Sequence, residues 1–229
     1  MSAMNLKHIL FIAITGVLFG VFYLGTTYAG TFLTGVLTPM GLGILGYEPF
    51  YGIWFMAAVF ITYVIQKPGV GLIAEMLASF LEVLMGNMFG PIIFLSGLIQ
   101  GLGSEVAFAA FRYKKFGYPQ TMLAAVGCTV FSYIWTGIRQ GYHTFAPGIL
   151  IAIFAIRLLS SLLFCGVLLA PGKLVYLPLA ALLLLVPAAR LGHHARAKKC
   201  AYLAACLVLA LLLNTGLLTD TLRSGQTAV

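Results

Sequence analysis

Long apolar runs alternate with short polar or glycine-rich breaks along most of the chain. Runs of eighteen or more apolar residues are typical of transmembrane helices. The period-two alternation of a membrane barrel is absent, which leaves helices as the spanning element. The pattern therefore predicts an all-α polytopic membrane protein. Its predicted helices are six in number and cover residues 8–28, 50–66, 70–86, 91–112, 119–138 and 148–170.

The breaks between these helices carry residues that favour turns. Pro68 suits a helix start, and GNMFGP indicates a tight turn. Residues 29–49 are rich in Gly, Pro and Thr, so we expect them to form a loop that folds over the bundle. The chain thus divides into a six-helix bundle over 1–170 and an additional hydrophobic segment and tail over 171–229, with an extra hairpin expected there.

Composition and charge agree with a membrane protein. The chain is 62% hydrophobic and 8% charged, whereas a soluble domain carries about 25% charged residues. The net charge of +8 comes from helix ends, so it reports topology rather than nucleic-acid binding. The positive-inside rule predicts a multi-pass protein of the cell membrane with a cytoplasmic N-terminus. In this orientation the residues on the cytoplasmic side are Lys7, Lys67, Arg112, Lys114 and Lys115.

Three of the five acidic residues, Glu75, Glu82 and Glu105, fall within predicted membrane helices. An ionised group at the bilayer centre costs about 2.5–3.5 kcal/mol, and such residues face the bundle interior. One cation, Arg157, lies at membrane depth, so the formal surplus favours a cationic or proton-donating guest. The alternative is a hydrogen-bonded carboxyl that pins one helix to another.

The spacing of the glutamates separates their expected roles. Glu75 and Glu82 share one helix face and stand about 10 Å apart along the axis, at 1.5 Å per residue. Glu82, near the outer end, is expected to contact the guest directly. Glu75, level with Glu105, is expected in a buried network with Arg157.

Further candidates gather near the same outer half. Gln100 lies mid-depth on a polar stripe of the helix at 91–112. The aromatic residues near the outer interface suit stacking on a flat ring, although an aromatic belt facing lipid headgroups explains each of them equally well. Together with the three membrane glutamates Glu75, Glu82 and Glu105, the candidate substrate-binding residues are Gln100, Tyr133, Trp135, Tyr142 and the turn residue Asn87.

Three stretches resemble the YkoE-type substrate-binding S component of energy-coupling factor (ECF) transporters: KPGVGLIAEMLASFLEVLMGNMFG, LIQGLGSEVAFAAFRYKK and IRLLSS. The resemblance covers about residues 8–170. It implies a six-helix bundle that binds thiamine or its hydroxymethylpyrimidine precursor, with the site closed by the loop after the first helix. It also implies a transmembrane coupling subunit and two cytoplasmic ATPase domains as partners, with docking through small residues such as Gly16 and Gly20.

Other function classes find less support in the sequence. No GxSxG, HExxH or Walker A sequence occurs, so an enzyme is not expected, and neither is a cofactor. His193, His194 and Cys200 are a weak pattern for zinc, and no metal site is expected. A stand-alone proton-coupled carrier using Glu75 and Glu105 stays open as the alternative.

Overall fold

The computed structural model describes residues 6–168, except for the side chains of residues 7 and 166–168. The hairpin expected over 171–229 lies outside the described residues. Every regular element in the described range is helical, which confirms the predicted all-α class. The α-helices are α1 (Leu6–Leu37), α2 (Tyr51–Trp54), α3 (Met56–Ile65), α4 (Val70–Leu84), α5 (Ile92–Ala110), α6 (Tyr118–Gln140) and α7 (Pro147–Ser161).

Five segments of the described chain are long and apolar enough to cross a membrane. They are His8–Met40, Gly43–Ile65, Ile92–Ala110, Tyr118–Gln140 and Pro147–Cys165. The 15 residues of α4 reach only about 22 Å at 1.5 Å per residue. This short helix carries two buried glutamates and packs against α1, α3 and α5. It forms the polar centre of the bundle.

The first helix is longer than its sequence predicts. The expected end is residue 28, but the helix continues to Leu37 before three 3-10 turns at Thr38–Met40, Gly43–Leu45 and Glu48–Phe50. Threonine hydroxyls along this extension donate to carbonyls one turn back, as Thr31 does to Thr27 at 2.8 Å. Glycine and such threonines are tolerated in membrane helices, so a loop over all of 29–49 is wrong.

The second predicted helix, 50–66, is broken at the buried Phe55 into α2 and α3. A helix start leaves backbone N–H groups without partners inside the helix. Here the Ala57 N–H donates to the Tyr23 hydroxyl at 3.2 Å and the Ala58 N–H to Glu75 Oε2 at 2.9 Å. The break therefore depends on side chains from α1 and α4.

The remaining helix boundaries lie within a few residues of prediction, except at the end of α7. Gly141 ends α6 in the left-handed conformation (φ 68°), and Pro147 begins α7. The last helix is expected to run from 148 to 170. Its α-helical part ends at Ser161, and a π-helical segment follows at Leu162–Leu168.

Glycines allow the helices to approach closely. A Cβ atom added at Gly103 would lie 2.7 Å from the carbonyl oxygen of Gly127, so α5 and α6 touch at their backbones. One added at Gly101 would lie 2.9 Å from Leu72 Cδ1 on α4. The glycines of α5 therefore serve close helix packing.

The same holds for the two glycines of α1 that are expected to dock a coupling subunit. Both are buried. A Cβ atom at Gly16 would lie 2.6 Å from Leu77 Cδ2, and one at Gly20 would lie 3.0 Å from the Ala78 carbonyl oxygen. This placement does not fit the docking role, because a residue packed against α4 is not available to a partner subunit.

Candidate functional site

A cavity of about 70 Å³ lies at the end of the bundle where α4 and α6 finish and α5 begins. A single water needs only about 10–15 Å³ of such space, so the cavity has room for more than one water. Aromatic side chains form much of its wall: Tyr47, Tyr51, Trp54, Phe89 and Trp135. The polar part of the wall consists of Glu48, Ser79, Glu82, Ser96, Gln100, Thr136, Arg139 and Gln140.

Glu82 is the carboxylate of the cavity that has no cation among the described residues. Its side chain is 1% exposed, and its Oε1 accepts hydrogen bonds from Thr27 Oγ1 at 2.7 Å and from Asn87 Nδ2. The buried ion pair beside the cavity joins Arg157 to Glu48, not to Glu82. Burying a carboxylate without a cation is costly. A guest that brings a positive charge or a hydrogen-bond donor would reduce that cost.

Asn87 holds Glu82 and part of the cavity wall in place. Besides donating to Glu82, its Nδ2 lies 3.3 Å from Thr27 Oγ1, and its Oδ1 accepts the Phe89 N–H at 2.7 Å. Phe89 lines the cavity, whereas Asn87 does not. The predicted site residue in the α4–α5 turn therefore stands directly behind the wall.

The aromatic wall contains both tryptophans of the chain. Trp135 Nε1 donates to Ser96 Oγ at 2.9 Å, which fixes its indole. The rings of Tyr51 and Trp54 are in edge contact, with centroids 5.3 Å apart. Of these residues the sequence singles out only Trp135. Trp54 is overlooked because the apolar pattern around it predicts one continuous helix.

Glu48 and Arg157 form a buried ion pair beside the cavity. Arg157 Nε donates to Glu48 Oε2 and Nη2 to Oε1, both at 2.7 Å, with side chains 3% and 0% exposed. The guanidinium also donates to Thr136 Oγ1 and to the Tyr142 hydroxyl, each at 3.2 Å, and lies 3.6 Å from the centre of the Tyr51 ring. The expected network of Glu75 with Arg157 is wrong, because Arg157 pairs with Glu48 instead.

Glu75 is fully buried and stands outside the cavity wall. Its Oε2 accepts from the Tyr23 hydroxyl at 2.9 Å and from the Ala58 N–H at the start of α3. Its Oε1 has no hydrogen-bond partner among the residues that the structure describes. The arrangement makes Glu75 a cap that ties α4 to α1 and α3.

Glu105 lies at the opposite end of the bundle from the cavity. It accepts the N–H groups of Gly69 at 2.9 Å and Gly71 at 3.0 Å, at the start of α4, and the Tyr113 hydroxyl. Burial, and then the neighbouring Glu105, raises the pKa of Tyr113. Glu105 thus caps α4 and joins the loops that carry Lys67 and Lys114.

The other predicted site residues divide between the cavity and its support. Gln100 is 8% exposed and lines the cavity. Tyr133 and Tyr142 do not line it; their rings pack together with centroids 5.3 Å apart, and both lie beside Arg157. The structure therefore brings Glu82, Gln100 and Trp135 together and places these tyrosines behind the Glu48–Arg157 pair.

Comparisons with known proteins agree with one another on the class of protein. Residues 7–131 match the family described as ABC-type cobalt transport system, permease component. The chain is 39% identical over 175 residues to a protein of Bacillus subtilis (strain 168) named putative HMP/thiamine permease protein YkoE, across 76% of this chain and 84% of that protein. A crystal structure of an S component of an ECF transporter superimposes with a TM-score of 0.71 at 30% identity, covering 99% of this chain and 100% of that one.

The family description names cobalt, but the described residues do not offer a donor set for a metal. They contain no group of three or more His, Cys, Asp and Glu side chains arranged to hold a metal ion. Their carboxylates are occupied as helix caps, as the partner of Arg157, or as the hydrogen-bonded Glu82. The cavity is built of aromatic and hydrogen-bonding groups, which suits an organic guest.

Proposed function

The chain belongs to the YkoE family of ECF-transporter S components, the substrate-binding membrane subunits of these importers, and we propose that its cavity captures thiamine or its hydroxymethylpyrimidine precursor. The coupling subunit in the membrane and two cytoplasmic ATPase domains are the expected partners. In this assignment the chain binds the vitamin, and ATP is hydrolysed on the separate subunits.

The observation that carries the proposal is the placement of Glu82. Its Oε1 already accepts hydrogen bonds from Thr27 and Asn87, while the carboxyl group lines an aromatic cavity and forms no ion pair within the described chain. An aminopyrimidine offers an amino group and a protonatable ring nitrogen along one edge. A carboxylate is the strongest neutral-pH partner for such an edge.

The rest of the cavity complements the flat face of the same ring. Trp54 and Trp135 offer indole faces, and the Gln100 amide supplies both donor and acceptor groups. Aromatic faces also attract a permanent cation such as the thiazolium of thiamine.

We also assign the sides of the membrane from the ends of the helices. The basic loops at Lys67 and Arg112–Lys115 lie at the end that Glu105 joins together, opposite the cavity. The positive-inside rule places that end, and the N-terminus, in the cytoplasm. The cavity then faces outward, beneath the segment 38–50 that belongs to the expected covering loop.

Ligand titration of matched glutamate variants tests the proposal. Removing one partner of a buried charged hydrogen bond costs roughly 2–5 kcal/mol, so Glu82→Gln should weaken binding of the pyrimidine by about 30-fold to several thousand-fold. Glu75→Gln removes the same charge outside the cavity and keeps a carbonyl acceptor for Tyr23 and Ala58, so it is the control. Quenching of Trp54 and Trp135 reports binding directly, because both line the cavity.

The outcome that rejects the assignment is equally specific. If Glu82→Gln binds hydroxymethylpyrimidine and thiamine as tightly as the unchanged protein, Glu82 is not the recognition group. If neither compound binds the unchanged protein, the substrate class is wrong.

The stand-alone carrier alternative rests on Glu75 and Glu105. Each of these residues has a structural explanation as a helix cap. We therefore expect no concentrative uptake by this chain in cells that lack the ECF coupling and ATPase subunits. Uptake there that collapses with a protonophore would favour the carrier.

A further inference from the structure

We propose that the cavity takes a guest with charges of both signs: a protonatable ring at Glu82 and an anionic arm, of the phosphomonoester kind, at Arg139. This inference rests on the proposed function and names its substrate class more narrowly. Its basis is that two opposite charges line one small cavity and do not pair.

The first observation is the position of the two charges. Glu82 and Arg139 both line the cavity. Glu82 is 1% exposed, whereas Arg139 is exposed at the surface. Among the described residues no ion pair joins Arg139 to Glu82. Arg139 therefore stands at the rim of the cavity, whereas Glu82 lies inside.

The second observation concerns the place of Arg139 in its helix. Arg139 occupies the last turn of α6. The helix dipole favours a cation there, whichever side of the helix the residue lies on. Its face is the cavity wall, however, and the adjacent Gln140 also lines the cavity. Arg139 also stands at the end opposite the basic loops, where the sequence has few positive charges.

The chemistry of Arg139 and the neighbouring Gln140 indicates which anionic group the guest carries. A guanidinium presents a planar fork of N–H donors that matches phosphate and carboxylate oxygens, and a neighbouring amide adds a further donor. The buried Glu48–Arg157 pair is internally neutral, so it does not offset Arg139.

The substrate class that fits is a protonatable pyrimidine bearing a phosphorylated arm. The phosphomonoester of hydroxymethylpyrimidine should therefore bind more tightly than hydroxymethylpyrimidine itself. Thiamine monophosphate should likewise bind more tightly than thiamine. Each pair of compounds differs only in the phosphate, so the ratio of their affinities isolates the arm.

The test measures those ratios by fluorescence titration of the full chain in detergent. In Arg139→Gln the ester-to-parent ratio should fall by about two- to fivefold, the range for an exposed pair of opposite charges. Arg139→Lys, which keeps the charge, should retain part of the preference. Lys115→Gln removes one positive charge at the other end of the bundle and should leave the ratio unchanged. Added salt should lower the ratio in the unchanged protein.

Two results overturn the inference. One is an ester that binds no better than its parent, and the other is an ester-to-parent ratio that Arg139→Gln leaves unchanged. Each of them leaves the proposed function standing if the parent compounds still bind and Glu82→Gln still weakens them. Failure of every one of the four compounds to bind the unchanged protein rejects the proposed function as well.

Discussion

At the scale of single residues, the buried Glu48–Arg157 pair is held by hydrogen bonds from several helices. The side chains around the guanidinium are Glu48, Ser132, Thr136, Tyr142, Tyr51 and Tyr133. A buried ion pair contributes little net stability relative to apolar residues, but loss of one partner leaves an unpaired buried charge. The pair therefore fixes where the segment 38–50 lies rather than how stable the bundle is.

Removing the cation alone should be far more damaging than removing both charges. Arg157→Met leaves Glu48 buried without a partner, and we expect it to lower the free energy of unfolding by about 3–5 kcal/mol. The double variant Glu48→Leu with Arg157→Met should recover most of that loss. Thermal unfolding in detergent measures both. A double variant that melts no higher than the single one would show that the pair itself supplies stability.

Glu75 should tolerate an amide but not an apolar side chain. Glu75→Leu leaves the Ala58 N–H and the Tyr23 hydroxyl without their acceptor, at a cost of about 1–3 kcal/mol for each buried donor. Glu75→Gln keeps a carbonyl oxygen at that position. We expect the leucine variant to melt well below the glutamine variant. If both melt together, the charge of Glu75, rather than its role as a cap, is what the fold requires.

At the scale of elements, the contact of α5 with α6 depends on glycine at one position. A Cβ atom at Gly103 would lie 2.7 Å from the Gly127 oxygen and 2.8 Å from Cys128 Cα, and both are backbone atoms that do not yield easily. Gly103→Ala should lower the free energy of unfolding by about 1–3 kcal/mol, the range for overpacking.

The matched control for this contact is Gly25 of α1. A Cβ atom added at Gly25 would meet no described atom within 4 Å, and the residue is exposed. Gly25→Ala should leave the melting temperature unchanged or raise it slightly, since alanine favours a helix more than glycine does. Equal effects at Gly25 and Gly103 would mean that the helix contact is looser than the structure has it.

Helix boundaries were predictable where the chain carries a proline, a charge or a glycine turn. Helix α4 begins shortly after Pro68, and α7 begins at Pro147. Helix α6 ends between Arg139 and Gly141. The end of α1 was missed because glycine and threonine, which end helices in water, are tolerated in a membrane helix. The break at Phe55 has no local signal, since its caps come from Tyr23 and Glu75.

The candidate site was predictable only in part, for a related reason. Glu82 and Gln100 were found because polar residues are rare at membrane depth, and both line the cavity. Glu48 was overlooked because it falls in the expected loop. Its partner Arg157 is 109 residues away, and no spacing rule connects positions that far apart.

At the scale of the whole molecule, chemical labelling from each side of the membrane should distinguish the two ends of the bundle. With the native cysteines replaced, His143→Cys, near the cavity end, should react with a membrane-impermeant maleimide in intact cells. Lys115→Cys should react only after the cells are permeabilised. The reverse pattern would invert the orientation and place the cavity towards the cytoplasm.

The sequence separation of 109 between Glu48 and Arg157 also sets an order of events during biogenesis. At about 5–20 residues per second, a ribosome makes the arginine about 5–20 s after the glutamate. Until α7 enters the membrane, the carboxylate lacks its cation and the segment 38–50 lacks this anchor. A chain stalled before α7 should therefore be cut by external protease within that segment, whereas the completed chain should be protected there.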